Sequence, residues 1–158
     1  MSAPVSALDQ ASQPWLSFQI GAQLFAAPLI AVSEVVRDGY VTPVPGAAAD
    51  VLGVRHLRGR IVPVLDGCRR LDVPAVAADP SRARVVMLSL AGQLVGLRVG
   101  AVGELLFIGD EEIEPALPAR ASGVYDPVSG LCCRQDAVVK LLDVRRLCRF
   151  SGEDGDVA

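Results

Sequence analysis

The residues with which this chain could do chemistry are few: one histidine, four cysteines and a short run of carboxylates. His56 stands between Arg55 and Leu57 in a stretch that reads as a strand. A nucleophilic triad needs a base within hydrogen-bond reach of a Ser or Cys, and only folding could bring Cys68 or a serine to His56. Cys68, Cys132, Cys133 and Cys148 show no C-x-x-C spacing, so with one histidine a structural zinc site has little support. Cys132 and Cys133, adjacent on a strand, must point to opposite faces, and the four thiols read as small hydrophobes in a reducing compartment. Asp110, Glu111, Glu112 and Glu114 crowd beside Pro115, which suits a solvated acidic loop better than general acid–base work. No glycine-rich phosphate loop is present. The inventory predicts no catalytic residue, no metal and no cofactor.

The arginines are more informative. Arg55, Arg58 and Arg60 cluster without interleaved aromatics, unlike a single-strand nucleic-acid platform. Arg58-Gly59 forms a turn signal between two apolar runs, and a guanidinium on a rigid hairpin tip suits recognition of a partner's carboxylate or carbonyl groups. The net charge of −3 argues against capture of a nucleic-acid backbone or an anionic membrane. The longest apolar run, Leu24 to Val32, contains Pro28 and falls far short of the ~20 residues of a spanning helix. Residues 1–14 lack the features of a signal peptide, so the expected location is the cytoplasm.

These side chains must be carried by short strands. With 51% hydrophobic residues the chain can bury a core. Leu16, Phe18 and Ile20 alternate with polar residues, the period of a half-buried strand, and Gly21-Ala22-Gln23 leads into Leu24–Ala27 as a hairpin. Val86–Leu90, Ala91-Gly92-Gln93 and Leu94–Val99 repeat the pattern. Laid over each other without a gap, Phe18–Val36 and Leu88–Leu106 match Gln23 with Gln93, Ala31 with Ala101, Val32 with Val102 and Glu34 with Glu104. Ile61–Leu71 matches Val138–Leu147 with one deletion, both ending Arg-Arg-Leu. Two echoes in the same order indicate a duplication. Asp66 and Asp143 precede the arginine-rich segments as helix N-caps. Pro63 indicates an edge strand or a non-bonded position for Ile61–Leu65. Thr42-Pro43-Val44-Pro45 breaks regular structure, and Asp72–Ser81 joins the copies. The predicted fold is all-β with short helices: two small five-stranded barrel lobes, roughly 15–72 and 82–150, with the chain free to cross between them and tails at 1–14 and 151–158.

The run Gly53–Asp66, GVRHLRGRIVPVLD, resembles the most recognisable segment of the CheW family, usually close to G-V-x-N-L-R-G-x-[IV]-[VL]-P-[VIL]-x-[DN]. FQIGAQLFAAPLIAVSEVV, Thr42–Pro45 and LVGLRVGAVGELL lie around it at the family's usual positions, so the resemblance covers roughly Trp15 to Phe150. It implies two small five-stranded barrels around a shared hydrophobic interface. It also implies a non-catalytic adaptor that joins the cytoplasmic tip of a methyl-accepting chemoreceptor to the regulatory domain of a CheA-type histidine kinase, recruited to receptor arrays. By position, Arg58 matches the arginine implicated in receptor contact, with Val32, Glu34, Gly53 and Leu57 beside it; no kinase-binding residue is assigned. This chain has His56 where the family usually has Asn, Gly100 where an aspartate is common, and an atypical stretch from Ala121 to Gln135. An interaction module in a pathway for pili, biofilm, second messengers or polar localisation is therefore the alternative, and an enzyme using His56 with Cys68 or a nearby Ser the third reading.

Overall fold

The computed structural model describes residues 12–116 and 126–149. The described residues form eleven strands: β1 (Ser12–Ile20), β2 (Gln23–Pro28), β3 (Val32–Arg37), β4 (Val51–Leu57), β5 (Arg60–Asp66), β6 (Arg84–Leu90), β7 (Gln93–Val99), β8 (Ala101–Gly109), β9 (Glu114–Pro115), β10 (Val128–Arg134) and β11 (Ala137–Leu142). Gly67–Arg70 and Val144–Leu147 are single helical turns. Asp66 caps the first by accepting from the Cys68 amide, and Asp143 caps the second by accepting from the Arg146 amide, as the sequence predicts. All-β architecture with short helices is what the structure shows.

Three hairpins turn on a residue pair with positive φ at both positions: Arg58-Gly59, Ala91-Gly92 and Gln135-Asp136. Such turns match the twist of the flanking strands. Glycine makes that geometry easy, yet Arg58 (φ 51°) and Gln135 (φ 49°) adopt it too.

Two sheets result, ordered β8-β1-β2-β11-β10-β9 and β3-β6-β7-β5-β4. Neither coincides with one half of the sequence. In duplication terms both run third, first, second, fifth, fourth, the first sheet adding the two-residue β9 as a sixth strand beyond the five expected, and each takes its opening hairpin from one copy and its other strands from the other. The chain crosses through a 3-10 turn at Leu29–Ala31 and again at Gly100, whose amide donates to the Gln19 carbonyl (2.8 Å). The equivalence holds to the residue. β5 pairs with β7 in parallel with Val64 opposite Gly96, and β11 pairs with β2 in parallel with Leu141 opposite Ala26, the positions that the two sequence echoes superpose.

β5 is an internal strand, with β4 on one side and β7 on the other. Pro63 is tolerated there because the β5–β7 ladder begins one residue later, at Val64. Its missing N–H therefore removes nothing on that side.

Apolar side chains gather in three places. Ala26, Ile108, Cys132, Val139 and Leu141 fill the first barrel, and Val62, Val64, Val85 and Met87 fill the second. The largest cluster lies between the barrels and includes Phe18, Phe25, Leu65, Leu88, Leu97 and Leu147. Burying area at about 25 cal/mol per Å², this shared layer binds the halves far more strongly than any surface contact. Arg70 reinforces it: only 14% of its side chain is exposed, and it donates to the carbonyls of Leu147 (2.7 Å), Arg146 (2.9 Å) and Arg149 and lies 3.5 Å from Asp50. Carbonyls at and just beyond the end of the second helical turn are thus held by a side chain of the first copy.

Candidate partner-recognition surface

The site is built from the two outer strands of the second sheet. β3 pairs only with β6, and β4 only with β5, so closing the barrel brings together two strands with no continuous ladder between them. Side chains span the gap. Arg55 Nη1 donates to the Arg37 carbonyl at 2.7 Å, beside an isolated main-chain bridge between Thr42 and Val54. At the open end Arg58 forms a bidentate pair with Glu34, Nε to Oε2 at 3.0 Å and Nη2 to Oε1 at 2.8 Å. Planar fork-to-fork geometry is the strong form of this contact. The Arg58 side chain is 73% exposed and that of Glu34 26%. The guanidinium is therefore held in place while its outer edge faces solvent. The Arg58 hydrogen bonds hold the Glu34 carboxyl below the usual carboxylate range, and Glu34 in turn raises Arg58.

The first barrel closes by a related device with different residues. Arg134 donates to the Phe107 carbonyl and to Glu112 Oε1 (3.2 Å), and Phe107 is the duplicate of Arg37. Where the second sheet has Glu34 and Arg58, the first has Glu104 and Gln135. The exposed ion pair is thus a property of one copy.

The structure brings Arg58 and Glu34 together and separates the remaining predicted residues. Leu57, next to the tip, is half-buried against the interior of the second barrel. Val32, two residues before Glu34, packs against the shared layer. Gly53 is buried toward the far end of β4, at a register shift. Its φ of +153° and the Thr42 carbonyl oxygen, 2.3 Å from where a Cβ would stand, leave room only for glycine. Gly53 thus shapes the seam from inside. Ile30 lies in the longest apolar run and sequence reasoning does not single it out. Pro28 is the available signal: β2 ends there, and the 3-10 turn after it leaves Ile30 95% exposed beside Pro14, Trp15 and Leu29.

His56 is exposed on β4 opposite Ile61. Cys68 lies in a different cavity with Asp66, Arg98 and Gly100, where burial and Asp66 push its thiol up. The two are not assembled into a catalytic pair. All four cysteines are free, Cys132 buried and Cys133 exposed as their adjacency predicts. Among the described residues no group of three or more His, Cys, Asp or Glu side chains could hold a metal ion, and no helix is long and apolar enough to cross a membrane.

The fold recurs in known proteins. Residues 14–151 match the CheW-like domain. The chain belongs to the CheW-like family. The probable chemotaxis protein CheW of Rhizobium etli is 34% identical over 159 residues, covering all of both chains. Protein PilI of Pseudomonas aeruginosa is 27% identical over 85% of this chain and 76% of its own. Among solved structures, the scaffolding protein TtCheW of Thermoanaerobacter tengcongensis superposes with a TM-score of 0.78 at 26% identity, covering 89% of this chain and 95% of that one. The CheW-like fold accounts for the two barrels and the shared apolar layer. The segment from Ala121 to Gln135, atypical in sequence, still supplies β10 from Val128 to Arg134, the counterpart of β4. Residues 117–125 lie outside the described residues.

Proposed function

We propose that this chain is a non-catalytic chemosensory adaptor that joins the cytoplasmic tip of a methyl-accepting receptor to a CheA-type histidine kinase. The observation that carries the reading is the Arg58–Glu34 pair. A guanidinium locked by a bidentate carboxylate has little further freedom to lose when a partner arrives, and Arg is a residue type on which interfaces depend. Four residues upstream of Glu34, Ile30 offers an exposed apolar side chain, so charge recognition and apolar contact stand on one stretch of chain. A helical receptor hairpin presents both chemistries. Val32, Gly53 and Leu57 support this surface from beneath. The adaptor acts by proximity: it transmits the receptor's state only insofar as its partners bind it differently in their two states.

A family membership shared with both CheW proteins and PilI supports a second reading, the same scaffold in a pili pathway. Recruitment at the membrane comes from the partner in either case.

The test is receptor binding by Arg58→Glu, with circular dichroism as the check on folding. Binding weaker by roughly tenfold or more is expected of a central arginine contact. The reversed pair, Glu34→Arg with Arg58→Glu, restores the seam while inverting the charge shown to the partner, so it stays folded and binds poorly. Unchanged affinity in the folded single variant would sink the assignment. Co-purification of a pilus-type receptor instead of a flagellar one would select the second reading.

A further inference from the structure

The groove between the β4–β5 hairpin, the β6–β7 turn and the second helical turn is both basic and apolar. Arg60, Arg145 and Arg149 stand there with Ile61, Leu90 and Leu94, and none of the described residues lining it carries a carboxylate. Its volume is about 430 Å³, within the ~300–1,000 Å³ of sites that enclose a ligand. Ile61 is 67% exposed. Arg60 donates to the Gly92 carbonyl at 3.0 Å, and among the described residues neither Arg60 nor Arg145 has an ion-pair partner.

The duplication shows what the equivalent positions hold in the first copy. Lys140, the counterpart of Pro63, lies opposite Phe25 in the β11–β2 ladder. It donates to Gln23 Oε1 and places its ammonium over the Phe25 ring, 5.7 Å from the centre. The chain leaving the first helical turn then folds back onto the β1–β2 turn. The Val73 amide donates to the Cys68 carbonyl at 2.8 Å, and Val73 is buried in the shared layer. The Pro74 carbonyl oxygen approaches Gly21 so closely that a Cβ there would stand 2.5 Å from it. Those positions are thus filled from within the chain, by a long cation and by a branched apolar residue on non-helical backbone. In the second copy Pro63 replaces Lys140, Val95 replaces Phe25 and Arg149 replaces Val73. Gln93 keeps the place of Gln23 without its lysine.

We propose that this groove binds a short, extended, acidic segment of a protein partner. A branched apolar residue of the segment rests against Ile61, Leu90 and Leu94, and its carboxylates meet Arg60 and Arg145. Complementarity of charge selects the acid: the chain as a whole carries a net charge of −3, so a groove with arginines and no carboxylate is a local feature and not an echo of overall composition. Guanidinium forks match carboxylates in bidentate geometry. The first copy selects the backbone, because Val73 and Pro74, which fill the equivalent positions, belong to no helix or strand. The groove begins two residues beyond Arg58, and the proposal stands whether or not Arg58 contacts a receptor.

Amide NMR of the full chain at low salt tests it. The probe is the blocked peptide Asp-Val-Pro-Glu-Glu, its first three residues copied from positions 72–74. It is expected to move the amides of Ile61, Gln93, Leu94 and Arg145 with a Kd on the order of 1 mM, and to leave the β10–β11 turn in place. Arg60→Gln with Arg145→Gln, and separately Ile61→Ser, alter exposed side chains and should each weaken binding by roughly tenfold. Serine in place of the peptide's valine should weaken it as well. Groove amides unmoved at about 10 mM peptide would overturn the proposal, as would variants that bind like the unaltered chain. An equal response to the serine peptide or to inorganic phosphate would overturn it by showing a site for any anion. Groove amides that shift with protein concentration before peptide is added would do so by placing a second copy there.

Discussion

Arg58 and Glu34 face each other across a gap that no continuous ladder spans, and their two hydrogen bonds close the open end of the second barrel. Arg55 and the Arg37 carbonyl do the same further along, in antiparallel order. The residue expected to meet a partner is therefore also part of the seam. A substitution at Arg58 changes two things at once, which is why the reversed pair is needed to separate them.

The pair sets a pH dependence of known sign. The Glu34 carboxyl titrates below its ordinary value, chiefly because of the Arg58 hydrogen bonds. Its contribution to the closed seam is thus fully present above the unfolded carboxylate pKa and is lost as pH falls through the lower, folded value. Carbon-13 titration of the side-chain carboxyl should place Glu34 below the ordinary glutamate value, and Arg58→Gln should move it up. A Glu34 titration unaffected by Arg58→Gln would contradict the pairing in solution.

The two arginines of one motif should behave differently. Arg70 is largely buried on three carbonyls and Asp50, whereas its neighbour Arg69 is 65% exposed, with Asp66 at 3.8 Å and the Ala49 carbonyl at 3.0 Å. Arg70→Ala leaves carbonyls and a carboxylate without their donor and should cost about 3 kcal/mol. Arg69→Ala should cost about 0.5 kcal/mol or less. Urea midpoints at constant m-value measure both.

Gly53→Ala should destabilise by about 2 kcal/mol or more, since it combines strained backbone with a clash against the Thr42 carbonyl. By contrast, Gly59→Ala meets no atom within 4 Å and carries only the strain of its positive φ. Thermal melts of the two variants should differ, Gly53→Ala falling further.

Much of this arrangement is legible along the chain. Alternating apolar residues mark the opening hairpins, because a strand with one buried face must alternate. Aspartates before Arg-Arg-Leu mark both helix caps, because the cap is a local hydrogen bond. The exposure of Ile30 and the internal place of β5 are not legible for the opposite reason: exposure and strand order depend on what packs alongside, and a run of apolar letters looks the same on either side of a core.

The duplication, the all-β character, the hairpin that carries Arg58 and the membership of the family whose motif it bears are all written in the amino-acid order. These are properties of neighbouring residues or of whole segments compared with each other. Folding in three dimensions settles the rest: the opening hairpins change partners between copies, Arg58 meets Glu34, and Gly53 lies inside the seam. Each depends on closing a barrel, which brings together the two strands farthest apart in the sheet, and no spacing along the chain encodes that distance.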